Sequence, residues 1–279
     1  MNGLSLPPLN IPALLRRYDL RPSKGLGQNF LQENATLQKI ISAADLGPPD
    51  DVLEIGPGLG SLTRYLALSA RSVTAVELDR KLFPALESVL APYKNVRLVQ
   101  GDILKLDPAR LIETPGYIVV ANIPYYITSA VIRHLLEAEQ RPSRLVLTVQ
   151  KEVAERICAV PGKMSLLALS VQVYGKPVIG ATIPAEAFYP PPKVDSAVLC
   201  IQVYSQPNLP TDRLDLFFTL IKAGFSQKRK TLRNAISGGL RIAPVEAEEL
   251  LSAAGIDPRR RAEALSLEEW GNLVKEFKT

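Results

Sequence analysis

Residues 51–63, DVLEIGPGLGSLT, carry the pattern that decides the fold. A short apolar run leads into three glycines at alternate positions, Gly56, Gly58 and Gly60, and then into the start of a helical pattern. Glycines permit a tight turn and a close approach of the backbone to a ligand. The segment therefore predicts a strand, a glycine-rich turn and a helix in succession, as in open α/β sheets that bind ligands at the strand ends.

The same alternation continues along the chain. Further strand-like runs are separated by segments with helical spacing of apolar residues, such as 61–70 and 129–139; these runs are SVTAVELD, VRLVQGD, YIVVAN, RLVLTVQ, KPVIGATIP and SAVLCIQVY. Such alternation predicts a mostly parallel sheet flanked by helices. A helix is expected before it, over residues 34–44.

Beyond the last strand-like run the pattern is only helical. We therefore expect two domains: residues 1–204, an N-terminal extension and a Rossmann-like α/β domain, and residues 205–279, a small all-helical domain that begins with a linker over 205–212. Ser266 and Glu269 predict a capping box at the start of the last helix.

Polar residues end the predicted strands at steps of about one βα unit. Glu77, Asp102 and Asn122 follow successive apolar runs, and parallel strands bring their carboxyl ends to one edge of the sheet. Glu77 can accept hydrogen bonds from ribose hydroxyls and Asp102 from an adenine amino group. Such an acidic crevice favours S-adenosyl-L-methionine, with its cationic sulfonium, over NAD. The alternative is a plain turn with two solvated carboxylates.

Asn122-Ile123-Pro124-Tyr125 indicates the reaction class. Proline fixes the backbone direction, so the Pro124 carbonyl and the Asn122 side-chain oxygen offer two acceptors for the two protons of an exocyclic amine. Tyr125 supplies a flat face on which a base can stack. The alternative is an ordinary end of a strand, since Asn and Pro are common turn residues.

Composition narrows the possible partners. Lys and Arg number 33 against 28 Asp and Glu, a net charge of +5 that permits an anionic partner. We expect two basic segments to bind RNA phosphates, with solvated helix faces as the alternative; their residues are Arg16, Arg17 and Lys24 in the first, and Lys228, Arg229, Lys230 and Arg233 in the second.

Several classes of protein are disfavoured. Two cysteines and one histidine argue against a Cys/His zinc cluster, so we expect no metal. His134 lies at helical spacing among apolar residues and is interpreted as a packing residue. The apolar runs are too short to span a bilayer, and the Pro-rich start lacks the pattern of a signal peptide. A cytoplasmic protein without a membrane partner is expected.

The sequence resembles the ribosomal RNA adenine N6-dimethyltransferases over about residues 16 to 277. The motifs that carry the resemblance are GLGQNFL (25–31), LEIGPGLGSLT (53–63), VELD (76–79), GDIL (101–104), NIPYYI (122–127), QKEVAERI (150–157), FYPPPKVDSAV (188–198), FSQKRKTLRN (225–234) and RAEALSLEE (261–269). Two departures are visible: Tyr126 stands where Asn is common in bacterial members, and Met164-Ser165 stands where a Tyr-Gly pair is usual.

The resemblance implies a methyltransferase domain and a role for each matched residue. It places Asn29 and Leu31 over the cofactor and the Gly56 backbone beside it. It assigns Glu77 to the ribose, Asp102 to the adenine ring and Asn122 to the space between cofactor and target. Phe188 would stack on the target base opposite Tyr125.

The implied reaction transfers methyl groups from S-adenosyl-L-methionine to two adjacent adenosines near the 3′ end of small-subunit (16S) rRNA, within an immature ribosomal particle. A monomer is expected. Three alternatives stay open: a large-subunit rRNA methyltransferase of the antibiotic-resistance type, a non-catalytic RNA-binding assembly or transcription factor on the same fold, and an NAD oxidoreductase. The last would require G-x-G-x-x-G, and the spacing here is G-P-G-L-G.

Overall fold

The computed structural model describes residues 6–227 and 229–277. The strands are β1 (Phe30–Leu31), β2 (Asp51–Ile55), β3 (Ser72–Glu77), β4 (Val96–Gln100), β5 (Ile118–Asn122), β6 (Arg144–Gln150), β7 (Gly175–Ile183), β8 (Phe188–Tyr189) and β9 (Ser196–Val203). The helices are α1 (Ile11–Arg17), α2 (Asn34–Ala44), α3 (Ser61–Ser69), α4 (Phe83–Leu90), α5 (Pro108–Leu111), α6 (Thr128–Leu136), α7 (Lys151–Ile157), α8 (Leu166–Gln172), α9 (Leu214–Phe225), α10 (Leu232–Leu240), α11 (Pro244–Ala253) and α12 (Leu267–Glu276).

Seven of these strands join in one sheet in the order β4-β3-β2-β5-β6-β9-β7. The pairs β3–β4, β2–β3, β2–β5 and β5–β6 are parallel, and β9 runs antiparallel to β6. The predicted parallel α/β sheet is confirmed, and every strand-like run of the sequence forms one of its strands.

The order of the strands places the candidate site. The chain leaves β2 for β3 and β4 on one side and then returns to β5 on the other side, so the direction of winding reverses between β2 and β5. Ligands of open α/β sheets bind at such a reversal, outside the carboxyl ends of the strands. The glycine turn, Glu77, Asp102 and Asn122 follow four neighbouring strands at this edge.

The central strands form the core because they are covered on both faces. All five residues of β2 are buried, and the apolar positions of β5 and β6 are buried as well. Helix α2 buries Leu37 and Ile40 one turn apart against this sheet. Each such aliphatic side chain stabilises the fold by about 1.5–3 kcal/mol, which makes the sheet a rigid support for its loops.

A second, two-stranded sheet was not predicted. Strand β1 pairs antiparallel with β8, with Phe30 opposite Tyr189 and Leu31 opposite Phe188. Two-residue strands are too short to show the alternation of apolar and polar residues that marks a strand, and these two strands lie far apart in the chain. Their pairing joins the QNFL motif to the FYPPP motif.

The chain divides into two compact units. One holds the described residues up to Ala154 together with Val178–Val203, and the other holds Glu155–Pro177 and the described residues from Tyr204 onward. The expected boundary at 204/205 assigned residues 155–177 to the first domain, and here the structure differs. The reason is contact within the second unit: the Met164 N–H donates to the Glu263 carbonyl (3.1 Å), and Tyr174 stacks with Phe218.

The second unit is mainly helical, as predicted. Helices α9 to α12 lie in the region where the sequence pattern is only helical, and α12 begins with the expected capping box of Ser266 and Glu269. The segment 205–212 is not a free linker, because Leu209 is buried and the Asn208 N–H donates to the Val173 carbonyl (2.8 Å). Within the described part of the chain, no helix has the length and apolar character needed to span a membrane.

Candidate active site

The glycine turn between β2 and α3 has a backbone that only glycine adopts without strain. Gly56 and Gly58 have φ of +69° and +60°. A Cβ atom at Gly58 would lie 2.9 Å from Cδ1 of Phe30, so a side chain there would also clash. The turn can therefore place bare backbone beside a ligand, as the sequence predicted.

Glu77 is buried at the end of β3, with 6% of its surface exposed. Its Oε2 accepts from the Gly58 N–H (3.0 Å), and its Oε1 accepts from the Asp79 N–H (2.8 Å). Burial raises the pKa of Glu77 above its ordinary value, while these backbone hydrogen bonds oppose the rise. Each oxygen keeps acceptor capacity beyond one N–H, so the carboxylate is oriented and can still accept from a ligand hydroxyl.

Asp102 ends the neighbouring strand β4 and is more open to solvent. Its Oδ1 accepts from the Leu104 N–H (3.1 Å), and its Oδ2 lies 3.8 Å from Nζ of the exposed Lys105. The local turn thus fixes one oxygen and leaves the other to accept from a ligand amino group.

Asn122 is held in one orientation at the end of β5. Its Nδ2 donates to the carbonyl of Asn29 (3.0 Å), which leaves Oδ1 as the side-chain acceptor. Asn29 in turn donates through Nδ2 to the Gly27 carbonyl (3.2 Å). The Pro124 carbonyl accepts the Ile127 N–H (3.2 Å) and retains a second lone pair.

The two predicted stacking residues lie in different environments. Tyr125 is half-buried, and its hydroxyl lies 2.7 Å from the Ser196 hydroxyl; burial raises the pKa of Tyr125, so the phenol stays neutral at physiological pH. Phe188 lines the same cavity but is only 1% exposed and packs in the core beside Leu31. A base could stack on the Phe188 ring only after the side chains that cover this ring move aside.

One cavity collects all of these groups. Residues from the glycine turn, the three polar strand ends, the QNFL segment and the NIPY motif line it. The predicted cofactor and catalytic residues on its wall are Asn29, Leu31, Gly56, Glu77, Asp102, Asn122, Pro124, Tyr125 and Phe188.

Sequence reasoning assigned no role to Glu54 and Leu78, two further residues of the cavity wall. Glu54 is 1% exposed, and its Oε2 has no hydrogen-bond partner among the described residues. Burial raises the pKa of Glu54 to about 8, and the nearby Glu77 carboxylate contributes to the rise. Leu78 is half-exposed beside Glu77, an apolar surface suited to a flat ring. The sequence signal that could have identified Glu54 is a carboxylate within an otherwise apolar strand.

Comparison with known proteins decides the family. The Ribosomal RNA adenine dimethylase family matches residues 21–279. The Ribosomal RNA small subunit methyltransferase A of Dehalococcoides mccartyi strain CBDB1 is 49% identical over 95% of this chain and 91% of its own length. The protein of the same name from Moorella thermoacetica is 46% identical, covering 94% and 95%.

This chain belongs to the ribosomal RNA adenine dimethylase family. Two solved structures are similar to it along most of their length. The 23S rRNA methyltransferase ErmE is 30% identical, with a TM-score of 0.73 over 89% of this chain and 99% of that one. A dimethyladenosine transferase from Plasmodium falciparum is 27% identical, with a TM-score of 0.75 over 89% and 97%. The predicted Rossmann-like methyltransferase fold with a helical C-terminal part is confirmed.

In this member of the dimethylase family, the first unit carries one group of predicted RNA-binding cations. Arg16 and Arg17 are exposed in the last turn of α1, and Arg17 lies over the Tyr18 ring at 5.5 Å. Lys24 is exposed in the loop that leads to Asn29. These cations are thus presented to solvent by the same segment that reaches the cavity.

The second unit carries the other predicted group. Arg229 and Lys230 are exposed in the segment before α10. Lys228 lies outside the described residues. Arg233 differs from its neighbours because its guanidinium pairs with the Glu248 carboxylate (3.0 Å). Its predicted phosphate contact therefore competes with an internal ion pair.

Proposed function

We propose that this chain transfers methyl groups from S-adenosyl-L-methionine to the N6 amino groups of two adjacent adenosines near the 3′ end of 16S rRNA, giving N6,N6-dimethyladenosine. The observation that carries the proposal is the placement of the N-I-P-Y acceptors beside an acidic, glycine-walled cavity at the reversal point of the sheet. The small-subunit name of relatives at 46–49% identity supports the choice of rRNA.

The chemistry of the cavity fits the cofactor. Glu77 and Asp102 offer carboxylate oxygens for ribose hydroxyls and an adenine amino group, and the Gly56 backbone permits close approach. Asn29 and Leu31 would cover the cofactor from the N-terminal segment. When bound, S-adenosyl-L-methionine supplies an electrophilic methyl group on a cationic sulfur, which suits two nearby carboxylates.

The chain's own residues would act on the target amine. Its lone pair is delocalised into the adenine ring, which makes the nitrogen a poor nucleophile. Hydrogen bonds from the amine N–H groups to Asn122 Oδ1 and the Pro124 carbonyl would draw the nitrogen toward tetrahedral geometry and localise that lone pair. Each transfer would form one N–C bond as the methyl–sulfur bond breaks, and the nitrogen would release one proton to solvent. Tyr125 would hold one face of the base, and Phe188 would hold the other once the side chains that cover its ring move aside.

Positioning is sufficient for such a transfer. Orientation of two reactants can supply roughly 7–11 kcal/mol of the barrier, and the single histidine is engaged elsewhere, with His134 Nε2 2.9 Å from the Leu106 carbonyl. The target base must leave its stack to enter the cavity, which costs a few kcal/mol. Phosphate contacts from Arg16, Arg17 and Lys24, and separately from Arg229 and Lys230, would offset this cost.

We infer further that the substrate is an immature small-subunit particle and that the enzyme acts as a monomer. An rRNA substrate agrees with the cytoplasmic location that the sequence predicts. The large-subunit alternative has weaker support, because ErmE is 30% identical whereas the small-subunit relatives reach 49%.

The test is incubation of the protein and labelled S-adenosyl-L-methionine with four substrates: unmodified small-subunit particles, naked 16S rRNA, large-subunit particles and naked 23S rRNA. Mass mapping of nucleosides should find N6,N6-dimethyladenosine at two adjacent positions of 16S rRNA, with the particle preferred over naked RNA. Asn122→Ala is the matched inactive control. Product confined to 23S rRNA would favour the large-subunit alternative, and no product would favour the binding factor.

A further inference from the structure

The two consecutive tyrosines of the NIPYYI motif face different surroundings. Tyr125 is half-buried and hydrogen-bonded to Ser196, whereas Tyr126 is 62% exposed although it lines the same cavity. Among the large apolar side chains that are exposed in the described part of the chain, Tyr126 is the one aromatic ring. It therefore places an open ring at the mouth of the cavity.

The ring of Tyr126 packs close to the backbone at Gly27. Gly27 has φ of +61°, and a Cβ atom built there would lie 3.5 Å from Cε1 of Tyr126 and 3.1 Å from Cβ of Pro124. On the other side, the turn over Tyr125–Ile127 is closed by the hydrogen bond from Ile127 to Pro124. Gly27 thus packs against the Tyr126 ring, and the closed turn fixes the backbone of Tyr126.

A cation lies at the start of the turn that supports this ring. The Gly27 N–H donates to the Lys24 carbonyl (3.0 Å), so the two residues close one turn, and Lys24 is exposed. A phosphate contact from Lys24 and a flat ring at Tyr126 are the two elements that single-stranded nucleic acid requires, a charged groove and a stacking surface.

We propose that Tyr126 is a binding site for a nucleobase of the RNA, namely the base that flanks the target adenine and remains outside the cavity. This inference rests on the proposed function. When one of two adjacent adenosines enters the cavity, its neighbour is held at the mouth by the continuous backbone. Stacking of that neighbour on Tyr126 would keep the strand from sliding while the first base reacts, and the same ring would serve when the two exchange places.

Stacking on an aromatic ring tolerates any base, so Tyr126 contributes affinity and register, and does not select the base. The expected effect of its removal is about 5- to 150-fold in RNA affinity. Tyr126→Phe should retain the wild-type affinity for RNA, because the ring is the part that binds the base. Leu68→Ala is a suitable control, since Leu68 is similarly exposed on α3 and is not part of the cavity wall.

The experiment measures binding of an RNA hairpin whose loop carries two adjacent adenosines, and of the same hairpin with one of the two made abasic. Wild type, Tyr126→Phe and Leu68→Ala should bind the intact hairpin about 5- to 150-fold more tightly than the abasic one. Tyr126→Ala should bind both with similar affinity and should retain the wild-type melting temperature.

Either of two results would overturn the inference: Tyr126→Ala keeps the wild-type preference for the intact hairpin, or wild type fails to bind the intact hairpin more tightly than the abasic one. Methylation of small-subunit particles by the wild type is measured alongside. If wild type methylates the particles and either result occurs, only the role of Tyr126 fails. If wild type methylates no rRNA, the proposed function itself fails.

Discussion

The hydroxyl of Tyr125 lies 2.7 Å from the hydroxyl of Ser196, a residue with 0% exposure at the start of β9. Ser196 is itself fixed opposite Gln150 in the antiparallel pair of β6 and β9. The bond therefore ties a loop residue of the candidate active site to a buried position of the central sheet, and it joins the P-P-P-K-V-D-S motif to N-I-P-Y.

Ser196→Ala should slow methyl transfer through Tyr125. The change leaves the tyrosine hydroxyl without its partner, costs about 0.5–1.5 kcal/mol of stability, and lets the ring turn. We expect turnover to fall while the affinity for S-adenosyl-L-methionine is kept. The measurement is single-turnover transfer alongside Tyr125→Phe and the double variant. Both single changes remove the same hydrogen bond, between Tyr125 and Ser196. The double variant should therefore lose less transfer rate, expressed as activation free energy, than the sum of the two single losses. Full additivity would refute the coupling.

Glu77→Ala should sharply weaken binding of S-adenosyl-L-methionine. The change removes the predicted ribose acceptor and also frees the N–H groups of Gly58 and Asp79, which Glu77 holds. Glu87→Ala, on the exposed face of α4, is the matched control and should bind normally. Titration calorimetry gives both affinities. Equal affinity of the two variants would exclude Glu77 from the cofactor site.

Glu54 predicts a dependence of stability on pH. The pKa of Glu54 in the folded protein is about 8, above the ordinary 4.5. Between pH 4.5 and pH 8 the folded state therefore binds a proton that the unfolded state has lost. The contribution of this group to stability is therefore full below about pH 4.5 and is lost as pH rises toward 8. Glu54→Gln, which stays neutral, should remove that loss.

The measurement for Glu54 is urea unfolding of wild type and Glu54→Gln from pH 5 to pH 9. The free energy of unfolding of wild type should decline relative to the variant as pH rises. A difference between the two proteins that stays constant over this range would mean that Glu54 is ionised throughout.

Charge reversal at Arg229 and Lys230 should weaken RNA binding and flatten its dependence on salt. Both side chains are exposed in the second unit. Each phosphate contact contributes about 0.7–0.9 to the slope of log K against log salt. Arg259→Ala is a control in the same unit, since Arg259 already pairs with Asp257 (3.1 Å). If the reversal leaves affinity and slope intact, the segment is only a solvated surface.

The sequence predicted the parts of the fold that repeat locally. The runs that became β2 to β6 and the polar residues at their ends were visible because apolar periodicity and turn residues are properties of neighbouring positions. Glu77, Asp102 and Asn122 therefore met where the strand steps placed them. Their roles toward cofactor and base stay predictions.

What the sequence could not predict depends on contacts between distant positions. Three features join segments that share no local pattern: the pairing of β1 with β8, the packing of residues 155–177 with the rest of the second unit, and the ion pair of Arg233 with Glu248. The burial of Glu54 is likewise decided by the layers that cover β2. Only the assembled fold shows these relationships.

The central claim is that the N-I-P-Y motif acts on an adenine of small-subunit rRNA rather than on the cofactor. Single-turnover methylation of immature small-subunit particles at saturating S-adenosyl-L-methionine tests it most directly, with wild type and Tyr125→Ala compared. Wild type should yield N6,N6-dimethyladenosine at two adjacent positions. Tyr125→Ala should transfer methyl groups more slowly, because loss of the stacking face raises the barrier by about 1–3 kcal/mol, while cofactor affinity is retained. Transfer by Tyr125→Ala at the wild-type rate with a collapse of cofactor affinity would contradict the account.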